Sequence, residues 1–162
     1  MLSDFKKILY VSDLDQGSRP AFRAAVSLSD QYNSKLTYLH VLEAVSGTAK
    51  GILSNMMDKH EVEELLKEGI AKLRDKVQGR LERFCEQELQ EHNQLTADQV
   101  DVRVEEGTPW KTILKVADEI DADVIVMGTR KNRTLEQVFL GSTASKTLSH
   151  SKRPVLVIPL FD

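Results

Sequence analysis

Apolar residues recur along this chain in two alternating rhythms, short continuous runs and stripes at helical spacing. Phe5 to Val11 ends in an unbroken apolar run, as expected for a strand buried on both faces. A turn-rich segment, Ser12 to Arg19, follows, and Pro20 suits the first turn of a helix, where its missing N–H is no loss. Ala21, Ala24, Ala25, Leu28 and Tyr32 then fall on one helical face, with Asn33 as a left-handed stop. Lys35 to Leu42 reads as a second strand and Glu43 to Met57 as a loop of mixed small and apolar residues. From Val62 through Leu66, Ile70, Leu73, Val77, Leu81, Phe84 to Leu89 the spacing predicts one long helix, with Gly69 or Gly79 as points where it could bend.

The second half repeats the alternation. Val100, Val102 and Val104 alternate with Asp101, Arg103 and Glu105, the pattern of a half-exposed strand. Thr108 and Pro109 supply an N-cap and a first-turn proline for a helix whose core face is Trp110, Ile113, Leu114, Ala117 and Ile120. Asp123 to Met127 is a fourth strand, followed by a polar, basic loop from Gly128 to Thr134. A helix over Gly141 to His150 leads into a fifth strand, Pro154 to Ile158. Five strands separated by helices describe a doubly wound open α/β sheet of parallel strands, and the crossover rule makes 3-2-1-4-5 the natural order. In that order the chain reverses direction between strands 1 and 4. The crevice at their carboxyl ends is where such sheets bind ligands. The loops emptying into it are Ser12 to Ser18 and Gly128 to Thr143.

Composition narrows the picture. A chain of 162 residues is expected to form one domain, residues 1–162, around one core. A net charge of −3 offers no electrostatic reason to expect nucleic acid or an anionic membrane as main partner. No apolar run is long enough to span a bilayer, and the first residues lack the pattern of a secretory signal, so a cytoplasmic location is expected. Cys85 is the only cysteine, which excludes an intrachain disulfide and a cysteine-based metal cluster.

The crevice loops carry the candidate chemistry. Gly128 follows the fourth strand, and Gly141-Ser142-Thr143 opens the last helix. A glycine admits close approach to the backbone, and a helix N-terminus presents unpaired N–H groups to an anion. Two hydroxyls, with Arg130, Lys131 and Arg133 nearby, complete a credible phosphate cradle. Equally, Gly141 could be a turn and Ser142 a helix cap.

Val126 to Pro159, V-M-G-T-R-K-N-R-T-L-E-Q-V-F-L-G-S-T-A-S-K-T-L-S-H-S-K-R-P-V-L-V-I-P, resembles the universal stress protein family. So do K-K-I-L-Y-V-S-D at Lys6 to Asp13, L-H-V at Leu39 to Val41 and E-G-T-P at Glu106 to Pro109. ATP-binding members of that family carry Gly-x-x-Gly, nine residues, then Gly-Ser or Gly-Thr. Gly128, the nine-residue spacer Asn132 to Leu140 and Gly141-Ser142 match; the second glycine is replaced by Lys131. Thr134 stands where many relatives have another glycine, and Leu14 replaces the common glycine after Asp13. The resemblance implies an adenine-nucleotide-binding stress-response or signalling protein with ATP as ligand. Magnesium or manganese would come with the phosphates, since the sequence shows no cage of its own. It implies Val11 and Asp13 at the adenine and ribose, Val41 on the base, Gly128 at the ribose, and Gly141, Ser142 and Thr143 at the phosphates. Met127, Arg130 and Lys131 complete the expected set. The family also implies a homodimer through the last strand, Val155 to Ile158. The alternative is a dimeric interaction module of the same fold without nucleotide.

No catalytic centre is legible. The four histidines show no ligand spacing, His60 and His92 read as surface residues, and no Ser-His-Asp set lies on a nucleophile elbow. A P-loop is missing. A phosphoacceptor receiver would need an aspartate ending strand 3 and a lysine after strand 5. Strand 3 instead runs into Glu105-Glu106-Gly107, and strand 5 into Pro159-Leu160-Phe161-Asp162. Any ATP turnover is expected to be slow.

Overall fold

The computed structural model describes residues 4–12, 19–43, 46–92, 95–130 and 140–160. Its elements are β1 (Lys7–Ser12), α1 (Arg19–Tyr32), β2 (Lys35–Leu42), α2 (Gly47–Met56), α3 (Lys59–His92), β3 (Val100–Glu106), α4 (Pro109–Glu119), β4 (Val124–Arg130), α5 (Ser142–His150) and β5 (Val155–Leu160). The five strands form one parallel sheet in the order β3-β2-β1-β4-β5, as the alternation of elements predicts. Both faces are covered, because successive side chains of a strand point to opposite sides. Ile8 and Tyr10 of β1 enter a core with Phe22 and Val26 of α1 and Leu81 and Cys85 of α3. Leu9 of the same strand faces Ile113 and Val116 of α4 on the other side. Within the first core Tyr10 stacks on Tyr38 at 4.9 Å, and Phe22 meets both rings edge-on.

Local signals hold at several ends. Asn33 takes φ 50°, the left-handed stop that closes α1. Pro109 occupies the first turn of α4, but the Thr108 hydroxyl makes no capping hydrogen bond, so the threonine serves by backbone conformation alone. Gly69 and Gly79 both lie inside α3, which runs unbroken over 34 residues.

Two expectations are corrected. The segment Glu43 to Met57 is not a loop throughout: Gly47–Met56 is helical, started by Ser46, whose Oγ accepts from the Ala49 N–H at 3.2 Å. Ala49, Ile52, Leu53 and Met56 lie at helical spacing, a signal diluted by Gly47, Gly51 and the absence of any buried residue. Secondly, Gly128, Thr129 and Arg130 are not loop but the end of β4. Their backbones pair with Ile158, Pro159 and Leu160, so ladder hydrogen bonds carry the strand past its apolar run. Residues 13–18, expected as turn-rich, residues 131–139, expected as basic loop with Lys131, Arg133 and Thr134, and the side chain of His92 lie outside the described residues.

Candidate functional site

The chain leaves β1 toward β2 and β3 on one side and adds β4 and β5 on the other, so β1 and β4 flank the reversal point. Parallel strands end together there, and connections diverging to opposite faces leave an opening above the carboxyl ends. A cavity of about 520 Å³ occupies that position.

Its walls come from four strands and two helices. Val11 and Ser12 close β1, Val41 and Leu42 close β2, Met127, Gly128 and Thr129 lie near the end of β4, and Leu160 ends β5. Pro109 and Ile113 contribute one side from α4. Gly141, Ser142, Thr143 and Ala144 contribute the other from the start of α5. One part of the wall is therefore aliphatic, while another is a helix N-terminus. Gly141 is the N-cap and has no side chain to cap with, which leaves first-turn N–H groups of α5 for water or an anion.

Seven sequence-expected residues converge on this cavity: Val11, Val41, Met127, Gly128, Gly141, Ser142 and Thr143. Asp13 and Lys131 lie outside the described residues, as does the side chain of Arg130.

The two glycines differ in what they spare. A Cβ on Gly141 would meet nothing within 4 Å, so that position borders open space. A Cβ on Gly128 would lie 2.6 Å from Leu160 Cδ1, so glycine here makes room for a neighbouring side chain.

The sequence brings Ser12 to the crevice as the start of a loop but gives neither it nor His40 a role there. Ser12 is buried, and its hydroxyl accepts from the Tyr38 phenol at 3.2 Å while its carbonyl lies 2.9 Å from His40 Nδ1. A carbonyl only accepts, so His40 carries its proton on Nδ1, which orients the ring. Serine and histidine inside strands look ordinary in sequence. Only the β1–β2 register, with Ser12 opposite His40, brings them together. Glu43 and His40 are the carboxylate and the imidazole among the described wall residues. No group of three or more potential metal-ligating side chains occurs among the described residues.

A more open side chamber of about 310 Å³ adjoins the cavity across Glu43, Pro109, Ser142 and Thr143. Trp110 and Lys146 form its outer wall. The indole packs against the His150 ring at 4.6 Å, and Lys111 Nζ sits 5.5 Å from its centroid.

Residues 4–159 match the model of the Universal stress protein family. Universal stress protein MJ0577 of Methanocaldococcus jannaschii is 26% identical over 158 residues, 95% of this chain and 94% of that protein. Universal stress protein Sll1388 of Synechocystis is 26% identical over 156 residues, covering 95% and 97%. The solved structure of MJ0577 superimposes with a TM-score of 0.73 over 99% of both chains at 24% identity. A solved universal stress protein in complex with cAMP superimposes with a TM-score of 0.57 at 20% identity, covering 98% of this chain and 100% of that one. At such identities the superpositions establish a shared fold.

Proposed function

Because this chain belongs to the universal stress protein family, we propose that its crevice binds an adenine nucleotide, with ATP as the leading ligand. The observation that carries this reading is one cavity whose wall has two chemically different parts. Val11, Val41 and Met127 offer aliphatic surface to a base, and the start of α5 offers N–H groups and two hydroxyls to phosphates. Gly141 adds open space where a side chain would otherwise crowd the anion. A structural neighbour that holds cAMP supports the same ligand class.

Magnesium or manganese would come with ATP and be held chiefly by its phosphates, shielding their charge. The chain's own part is to bind and orient. His40 is tied through Nδ1 to the Ser12 carbonyl, and we read the protein as a binder with slow turnover at most. Its output would follow from nucleotide occupancy favouring one loop or interface arrangement over another, which requires unequal affinity for the two states.

The reading includes a homodimer through β5. This strand is at the sheet edge, and Leu156 is 40% exposed. Pro159 lacks the N–H that a further strand would need, which confines outer pairing to the segment Val155–Ile158.

The test is mass spectrometry and ultraviolet absorbance of nucleotide released from freshly purified protein, followed by calorimetric titration with ATP. Stoichiometric adenine nucleotide, or binding heat that disappears in Gly141→Trp, supports the reading. No nucleotide and no heat with ATP or ADP removes it and leaves a dimeric interaction module of the same fold.

A further inference from the structure

Helix α2 buries none of its residues and packs chiefly against α3. The anchoring of α3 to the sheet lies in its second half, through Val77, Leu81 and Cys85. Its first half buries Val62 but carries mostly exposed residues, and with α2 it forms a helical hairpin outside the two core clusters. Four of the six large exposed hydrophobic side chains among the described residues lie on it: Ile52 (58%), Met56 (78%), Leu65 (46%) and Leu73 (48%). Such clustering on a soluble surface marks a contact surface.

Leu65, Gly69 and Leu73 are spaced i, i+4, i+8 and form one ridge of α3. A Cβ on Gly69 would meet nothing within 4 Å, so a second helix could approach its backbone closely. Between Lys59 and Arg80, the stretch that a crossing at this glycine would bring together, the charges on α3 are segregated about it. Before it, Glu61, Glu63, Glu64 and Glu68 outnumber Lys59 and Lys67; after it, as far as Arg80, Lys72, Arg74, Lys76 and Arg80 outnumber Asp75, and only beyond Arg80 do Glu82, Glu86, Glu88 and Glu91 reverse the balance. A helix acidic on one side of a glycine and basic on the other is complementary to its own reversed copy.

We propose that the α2–α3 hairpin is an interface with a second copy of this chain, the two α3 helices crossing antiparallel at Gly69. In that arrangement Leu65 meets the partner's Leu73, and each acidic half faces a basic half. Glu61 already accepts from the Asp58 N–H at 3.2 Å, which leaves its second oxygen for the partner's Lys76. A two-fold axis through the glycine makes each contact occur twice, the usual logic of a homodimer. The acidic half disfavours an anionic membrane as occupant. Taken with pairing through β5, a second two-fold contact would join dimers into a tetramer.

The test uses the full chain carrying Leu156→Lys, which removes the β5 contact, so the outcome does not depend on that contact or on nucleotide. Gly69→Cys in this background is expected to form a disulfide-linked dimer under mild oxidation. Leu65→Cys and Leu73→Cys should each crosslink poorly alone and several-fold better when mixed. Buried Cys85 stays out of the reaction. Light scattering should give a dimeric mass that falls two-fold in Leu65→Glu/Leu73→Glu, with helical circular dichroism unchanged. A monomeric mass at high micromolar concentration overturns the proposal. So does a Leu65→Cys chain that crosslinks to itself as well as to Leu73→Cys.

Discussion

Gly128 in β4 and Leu160 in β5 share one space: a Cβ on the glycine would lie 2.6 Å from Leu160 Cδ1 and 2.9 Å from its Cγ. Both residues line the cavity, and Leu160 is only 9% exposed. Gly128→Ala must displace a buried side chain and is expected to cost about 1–3 kcal/mol. In a Leu160→Ala background the same substitution should cost much less, because the competing carbons are gone. Urea denaturation of the two single variants and the double variant measures this coupling. Additive costs would show that the two side chains do not compete.

Gly141 should behave in the opposite way. Its Cβ direction is open and its φ of −47° suits any residue, so Gly141→Ala is expected to cost under about 1 kcal/mol, the loss of a better N-cap residue. Gly141→Trp should fold as well but fill the crevice and abolish ATP binding. Thermal melting with calorimetric titration separates the two effects. A tryptophan variant that binds ATP normally would place the nucleotide elsewhere.

Cys85 provides a pH prediction. Burial, helped by Glu82 and Glu86, pushes its thiol from the ordinary 9.0 up to about 12. Below pH 9 the thiol is protonated in both folded and unfolded chains, so it imposes no penalty. Above pH 9 only the unfolded chain releases the proton. Stability should then fall by roughly 1.4 kcal/mol per pH unit from this group until the folded thiol ionises near 12. Chemical denaturation between about pH 8 and pH 10 should therefore slope less steeply in Cys85→Ala than in the native chain. Parallel slopes would refute the assignment. A thiol reagent should likewise react only as the protein unfolds.

Glu88 ties α3 to α1. Its side chain is 5% exposed and lies 3.5 Å from Arg19 Nε and 3.3 Å from Arg23 Nε. Removing both arginines strips two cations from a buried carboxylate and is expected to cost about 3 kcal/mol. Adding Glu88→Gln to that double variant should lower the cost, because the desolvated charge then disappears along with its partners. Denaturant titration of Arg19→Ala/Arg23→Ala with and without Glu88→Gln tests this, and a double variant that Glu88→Gln does not rescue would contradict it.

The site was legible to different depths at different residues. Gly141-Ser142-Thr143 could be placed from a helix start opening on the crevice, because a parallel sheet sends such ends to one edge. Val11, Val41 and Met127 were expected there through the family resemblance. Ser12 and His40 could not be brought together, since their meeting depends on which strands pair and in what register. Helix α2 was obscured by its glycines and by having no core to face, so its faint periodicity had no burial to reinforce it.

The sequence alone determined the alternation of strands and helices, the parallel sheet in the order β3-β2-β1-β4-β5, and the edge of the sheet at which the cavity lies. These follow from periodicities of about 2 and 3.6 residues and from the handedness of crossovers, which are local or general rules. Tertiary structure decided the rest. It extended β4 through Gly128 by pairing with β5, pressed Leu160 against that glycine, and joined Ser12 to His40. It also left the α2–α3 hairpin with its leucines uncovered. Each of these depends on contacts between residues far apart in the chain, and no local pattern encodes which distant side chain will occupy a given space.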